Sequence, residues 1–135
     1  MTVVLVDVAN TVGSRPDGWW RDRAGATARL LDRLVPLLGT DQAGPDSAPV
    51  AVTALVAVLE GQARNVPAPP GICIVRAEGS GDDALAAVAA DLVDGDDDLL
   101  VVTADRGLRD RLPAAARVTG PGWLLAAADA ADAAD

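Results

Sequence analysis

The sequence predicts an α/β protein with a mostly parallel central sheet and helices on both of its faces. Three observations predict it. Short β-branched runs alternate with stretches of helical periodicity, the pattern of strands joined by crossover helices. The runs are continuously apolar, as in parallel strands covered on both sides. Acidic signatures also recur where strands should end: Val-Asp-Val-Ala-Asn from Val6, Gly-Ser-Gly-Asp-Asp from Gly79 and Thr-Ala-Asp-Arg from Thr103. Ligands of such sheets bind beyond the carboxyl ends of the strands.

Thr2 to Val8 reads as the first buried strand, followed by a Gly-, Pro- and Asp-containing loop from Asn10 to Gly18. A helix is expected from about Asp22 to Leu38, with Asp22 as its cap and Leu30, Leu31, Leu34 and Leu37 on one face. Gly39 to Pro49 is a loop, Val50 to Glu60 a strand, and the proline-containing stretch Asn65 to Gly71 another loop. Strands are expected over Ile72 to Arg76, Leu99 to Thr103 and Arg117 to Thr119. Helices are expected over Asp82 to Leu92, Arg106 to Leu112 and from Trp123 onward. One domain over 1–125 and an Ala/Asp-rich tail over 126–135 follow from this reading.

The 135 residues fit one domain with one core. No apolar run approaches the ~20 residues of a membrane span. The first strand is under way at Val3, which leaves no room for a signal peptide, so a cytoplasmic location is expected. Cys73 is the one cysteine and lies in the apolar run Ile72 to Val75, where a small buried residue is expected. All eleven basic residues are Arg, and His and Tyr are absent. Without His or Lys there is no imidazole relay, phosphate-loop lysine or Schiff base. One Cys and no His exclude the usual zinc sites. Carboxylate chemistry remains, with or without a hard cation such as Mg²⁺ or Mn²⁺. The net charge of -9 argues against a passive nucleic-acid coat, though not against an enzyme whose metal offsets a concentrated acidic site.

The candidates are therefore acids. Asp7 directly follows buried strand residues and needs a charge partner, which a metal supplies; its alternative is a polar strand terminus. Asn10 either orients Asp7 or bonds turn backbone. Ser80 and Asp83 have capping-box spacing, so Asp83 is a helix cap or a ligand, and Asp82 has no capping duty. Adjacent helical residues point about 100° apart, so Asp82 and Asp83 need not serve the same ion. Asp105 either caps the short helix after it or closes the cluster. Glu60 ends a strand on the same edge and is a further candidate. Asp96, Asp97 and Asp98 precede their strand and belong to a solvated turn at the opposite edge. Arg15, Arg21, Arg23, Arg106 and Arg109 are candidate phosphate contacts, with Arg111 beside them, or ordinary solvated charges. Trp19 and Trp20 either stack on unpaired bases or anchor their loop.

Val-Asp-Val-Ala-Asn, Gly-Ser-Gly-Asp-Asp-Ala-Leu and Val-Val-Thr-Ala-Asp-Arg-Gly-Leu together resemble the NYN domain family of the PIN-like nuclease superfamily. The likeness spans roughly Val3 to Leu112. The resemblance implies a Rossmann-like α/β/α sandwich and an endoribonuclease dependent on Mg²⁺ or Mn²⁺, acting on RNA to leave a 5′-phosphate and a 3′-hydroxyl. It assigns Asp7, Asp83 and Asp105 to the metal, with Asp82 sharing the catalytic acid pair and Asn10 as a polar neighbour. Two positions depart from the family's pattern: Val8 stands where many members have Gly, and Arg109 where a further acid often appears. The alternative is a domain that keeps the fold without turnover, as an RNA-binding or protein-interaction module. A phosphoryl-receiving domain usually has two acids after the first strand and a lysine, and this chain has one and none. The stretch Gly13 to Gly18 lacks the dinucleotide glycine fingerprint. Oligomeric state is left open, and a homodimer is compatible with the sequence.

Overall fold

The structure, a computed structural model, describes residues 1–134. Strand β1 (Thr2–Asp7) leads into α1 (Val8–Val12), a 3-10 turn (Trp19–Arg21) and α2 (Arg23–Leu34). After a second 3-10 turn (Val35–Leu37) come β2 (Asp41–Gln42), β3 (Val50–Leu59), a third 3-10 turn (Gly61–Ala63) and β4 (Ile72–Arg76). The chain ends with α3 (Gly81–Leu92), β5 (Asp98–Val102), α4 (Arg106–Arg109), β6 (Arg117–Thr119) and α5 (Pro121–Ala134).

Five strands form a parallel sheet in the order β4-β3-β1-β5-β6. β2 adds an antiparallel pairing with the start of β3. This is a mixed α/β fold with a mostly parallel sheet. β1 lies at the centre, and its residues Val4 to Val6 are wholly buried. Period-two alternation sends side chains to opposite faces. Val4, Val6, Leu55 and Val102 pack with Leu30, Leu31 and Leu34 of α2 and Leu124 and Ala128 of α5. Leu5, Val58 and Val101 pack on the other face with Leu85 and Ala89 of α3 and Leu108 of α4. Helices thus cover both faces.

Several boundaries differ from the sequence reading. β1 stops at Asp7, because its carboxylate accepts the Asn10 N–H and opens a helix where strand and loop were expected. α2 begins after Asp22, whose Oδ1 accepts the Gly25 N–H at 2.9 Å. It ends at Leu34 rather than Leu38, since Pro36 has no N–H for another helical bond and the chain tightens into a 3-10 turn. Cys73 is exposed rather than buried, because β4 is an outer strand with a neighbour on one side only.

α5 runs unbroken across the boundary expected at 125. Ala128 is wholly buried there, and Asp129 and Asp132 pair with Arg15 and Arg33. The final residue of the expected 126–135 tail lies outside the described residues. Among the described residues, no helix is long and apolar enough to cross a membrane.

Candidate acidic site

The site follows from strand register. Leu5, Val58 and Val101 all face the core beneath α3 and α4. Two residues further along each chain segment stand Asp7, Glu60 and Thr103, so alternation sends them to the same side at the carboxyl edge. Register supports this: Asp7 pairs with Val58 of β3, and Val6 with Val102 of β5.

Asp7 is 8% exposed and tightly held. Its Oδ2 accepts the Thr103 hydroxyl at 2.8 Å and its Oδ1 the Asn10 N–H at 3.3 Å. Thr103, itself fully buried, also accepts the Asp105 N–H on Oγ1 at 3.2 Å. This chain of bonds couples the end of β1 to the loop after β5. Asn10 reinforces it, since its Oδ1 accepts the Ala104 N–H at 2.8 Å. Asn10 therefore positions the Asp105 loop rather than the Asp7 carboxylate, and Asp7 touches its backbone alone. Asp105 opens α4, its Oδ1 accepting the Leu108 N–H at 3.0 Å.

Glu60 joins from β3. Its Oε2 accepts the Gly81 N–H at 2.9 Å, at the start of α3. Gly81 has no side chain because none fits: a Cβ there would lie 2.5 Å from the Glu60 carboxyl carbon. Glu60 thereby reaches the foot of the helix that carries Asp82.

The electrostatics tie these acids together. Burial holds the Asp7 carboxyl above the usual aspartate range, against the hydrogen bonds from Thr103 and Asn10, and the charges of Asp82 and Glu60 push it further. Asp82 is raised as well, first by burial and then by Asp105 and Glu60, with Arg111 opposing and Asp83 adding a smaller push. Asp7, Glu60, Asp82 and Asp105 thus share one neighbourhood. Segments from four parts of the chain supply it.

Asp83 does not join them. Ser80 Oγ accepts its N–H at 3.4 Å, fulfilling the cap. Its carboxylate is exposed and pairs with Arg111 at 2.7 Å. Of the expected acids Asp7, Asp82, Asp83 and Asp105, Asp83 is the one turned to solvent and paired with Arg111, while Asp82 lies nearer Asp105 and Glu60. The reason is the turn of about 100° between neighbouring helical residues.

The arginines divide. Arg15 is held by Asp129 of α5 at 2.7 Å, which removes it from the acidic edge as a free cation. Arg21 lies over the Trp20 ring at 5.9 Å and Arg23 over the Trp19 ring at 5.3 Å. Arg106 and Arg109 are exposed on α4, directly after Asp105, and form no ion pair among the described residues.

Oxygen donors of this kind suit a hard cation. Asp7 has a free lone pair on each oxygen beyond its two bonds, and only one oxygen each of Glu60 and Asp105 is engaged. As the side chains stand, no three of the described His, Cys, Asp or Glu residues converge to hold one ion. Magnesium needs fewer, because it usually keeps several waters and takes one or two carboxylates. The donor set fits a largely hydrated ion and does not form a closed three-carboxylate cage.

No protein-family model and no curated protein matches this sequence. Solved structures do. Rae1 (YacP) from Bacillus subtilis superposes with a TM-score of 0.69 at 14% identity, over 99% of this chain and 77% of Rae1. The chain shares its fold with Rae1. A single-residue mutant of Rae1 gives the same TM-score at 16% identity, over 99% of this chain and 79% of that one. The likeness covers all the elements that carry the acids, and at this identity it concerns the fold alone.

Proposed function

We propose that this protein is a PIN-like, NYN-type endoribonuclease that uses Mg²⁺ or Mn²⁺. The observation that carries the reading is the meeting of Asp7, Glu60, Asp82 and Asp105 at the carboxyl edge, where burial first and the neighbouring acids second hold Asp7 and Asp82 above the usual aspartate range. Four like charges gathered without a lysine or histidine among them lower the stability of the fold, and a divalent cation offsets that cost. Asp7 and Asp82 or Asp105 would hold the ion. When bound, it supplies Lewis acidity towards the phosphoryl oxygens and a lowered pKa for water.

The chain's own residues prepare the site. Thr103 and the Asn10 N–H fix the Asp7 carboxylate in one rotamer, which keeps its remaining lone pairs aimed outward. The Asn10–Ala104 bond sets the distance between the β1 and β5 ends. Arg106, next to Asp105, and Arg109, one turn beyond it, are placed to neutralise phosphates flanking the cleaved bond. Glu60 and Asp82 are the groups available to take a proton from attacking water.

The test is cleavage of single-stranded and structured RNA with Mn²⁺, Mg²⁺ or EDTA. Asp7→Asn and Asp105→Asn should each abolish metal-dependent cleavage, while Asp83→Asn should retain most of it. Unchanged cleavage by both of the first two would defeat the proposal. A second reading, an RNA- or protein-binding module without turnover, is favoured by the absence of a three-carboxylate cage among the described residues. Calorimetry with Mn²⁺ separates the two: the enzyme binds the ion and loses that binding in Asp7→Asn, and a module need bind none.

A further inference from the structure

A cavity of about 310 Å³ opens beside the acidic edge and shares Glu60 with it. Trp19, Arg23, Thr27, Glu60, Gln62 and Ala63 line it. Its size is at the lower end of small-ligand pockets. The wall is a stacked pair: the Arg23 guanidinium lies over the Trp19 ring at 5.3 Å, and the Trp20 ring meets Trp19 edge-on at 6.0 Å between centroids. The Trp20 contact holds the Trp19 plane upright. Trp19 is half-buried, so its place is fixed while part of its surface faces the cavity.

The floor and rim are polar. Glu60 spends one oxygen on the Gly81 N–H and keeps the other free. The Gln62 side chain is exposed and makes no hydrogen bond to the described residues. Thr27 is 3% exposed and borders the cavity. A cavity with a guanidinium-aromatic wall, and an amide and a carboxylate at its rim, matches one ligand class. Unstacked nucleobases lie on aromatic or guanidinium planes and present donors and acceptors along their edges.

We propose that this cavity receives one unpaired base of the RNA strand, next to the phosphate cut at the acidic edge. Trp19 and Arg23 form the stacking surface. Gln62, which makes no hydrogen bond to the described residues, bonds the donors and acceptors along the base edge, and Glu60 stays with the acidic edge. The pocket would select single-stranded over duplex RNA, because a paired base cannot leave its stack without cost. The assignment of the strand rests on the nuclease reading; the base-binding chemistry does not.

The test uses a fluorescein-labelled eight-nucleotide single-stranded RNA in EDTA, so that binding is read without cleavage. Trp19→Ala should weaken binding roughly 5- to 100-fold, the range of one lost base stack, and Trp19→Phe should restore most of it. Arg23→Ala, which spares the ring, should weaken binding in the same direction and guards against a folding defect in Trp19→Ala. An oligomer of the same length with abasic riboses should bind wild type weakly, and Trp19→Ala should not weaken it further. Equal affinity of wild type, Trp19→Ala and Arg23→Ala for the intact oligomer overturns the proposal. So does an equal loss on intact and abasic oligomers, which would mean that no base is read. Failure of the nuclease reading appears elsewhere, as absent cleavage with the base-dependent binding intact.

Discussion

Replacing Asp7 by asparagine should make the fold more stable while abolishing cleavage. Asp7 is nearly buried, and its carboxyl is held above the ordinary value of 3.8 by burial first, against the bonds from Thr103 and Asn10, with Asp82 and Glu60 adding to the rise. Between 3.8 and the raised value the folded chain keeps a proton that the unfolded chain has lost. Stability therefore falls as pH rises through that window, and at neutral pH the full penalty is in place. The opposing magnitudes are comparable. Burying a carboxylate costs several kcal/mol, while two charge-assisted hydrogen bonds return about 1.5–3 kcal/mol each. The upward direction shows that burial and like charge prevail. An amide in the same place carries no charge, can still accept from Asn10 N–H and can donate to Thr103 Oγ1, at the cost of the acceptor the Thr103 hydroxyl now uses. A net gain of about 1–2 kcal/mol at pH 7 is expected, or about 3–8 °C in Tm for a domain of this size. Urea unfolding followed by tryptophan fluorescence in EDTA, at pH 7 and near pH 4, measures it. The gain should shrink towards zero at the lower pH. Added Mn²⁺ should reverse the order, because only the wild type gains from the ion. A variant less stable than wild type at pH 7, or a gain indifferent to pH, would refute the reasoning.

Gly81→Ala should push the Glu60 carboxylate out of the site, since the new Cβ would sit 2.5 Å from its carboxyl carbon. Helix propensity offsets much of the lost hydrogen bond, so stability should stay within about 1–2 kcal/mol while cleavage drops; full activity would remove Glu60 from the mechanism. Asn10→Ala frees the Ala104 N–H and should cost about 1 kcal/mol of stability. Its effect on cleavage should be larger, up to about 100-fold, because the Asp105 loop loses its register; thermal melts and initial rates compare the two. The cleavage rate should fall on acidification above the pH at which ordinary aspartates titrate, since Asp7 and Asp82 are both raised by burial and neighbouring acids. A pH-rate profile with its acid limb at or below 3.8 would contradict this. Asp129→Ala releases Arg15 from an exposed pair and leaves Arg33 held by Asp132 alone. It should alter stability by less than about 1 kcal/mol and tighten oligonucleotide binding several-fold, read by anisotropy.

The order of elements along the chain was legible because buried parallel strands announce themselves as unbroken β-branched runs; Asp7 and Asp105 stood out just after such runs, and Asp82 at the start of the helix that follows β4. Asp22 was legible as a cap for the same local reason. What escaped was decided by contacts between distant segments. Whether Asp82 or Asp83 turns inward depends on the rotation of α3, fixed by Leu85 and Ala89 beneath the sheet rather than by local pattern. Glu60 was a lesser candidate because its role requires Gly81, 21 residues away. Thr103 was hidden inside a motif whose aspartate drew attention, although an inward-facing hydroxyl two residues after Val101 was a usable signal. Arg15 resembled a phosphate ligand until α5 brought Asp129 to it. Cys73 sits in an apolar run like its neighbours, and only the strand order reveals that it lies on an outer strand.

The outermost positions of β4 and β6 bear on how this chain behaves in crowded solution. Each pairs on one side only, so each leaves a row of backbone donors and acceptors uncovered. Rows of that kind invite edge-to-edge zipping into aggregates, and proteins blunt them with brevity, charge and proline. β6 has three residues, with Arg117 engaged by Asp46. β4 has five, is entered through Pro67, Pro69 and Pro70, and closes on Arg76, whose guanidinium is fastened to the Arg64 and Val66 carbonyls. Both borders are guarded by inexpensive means, so the sheet carries crowded acids along its carboxyl edge without exposing a template for self-association.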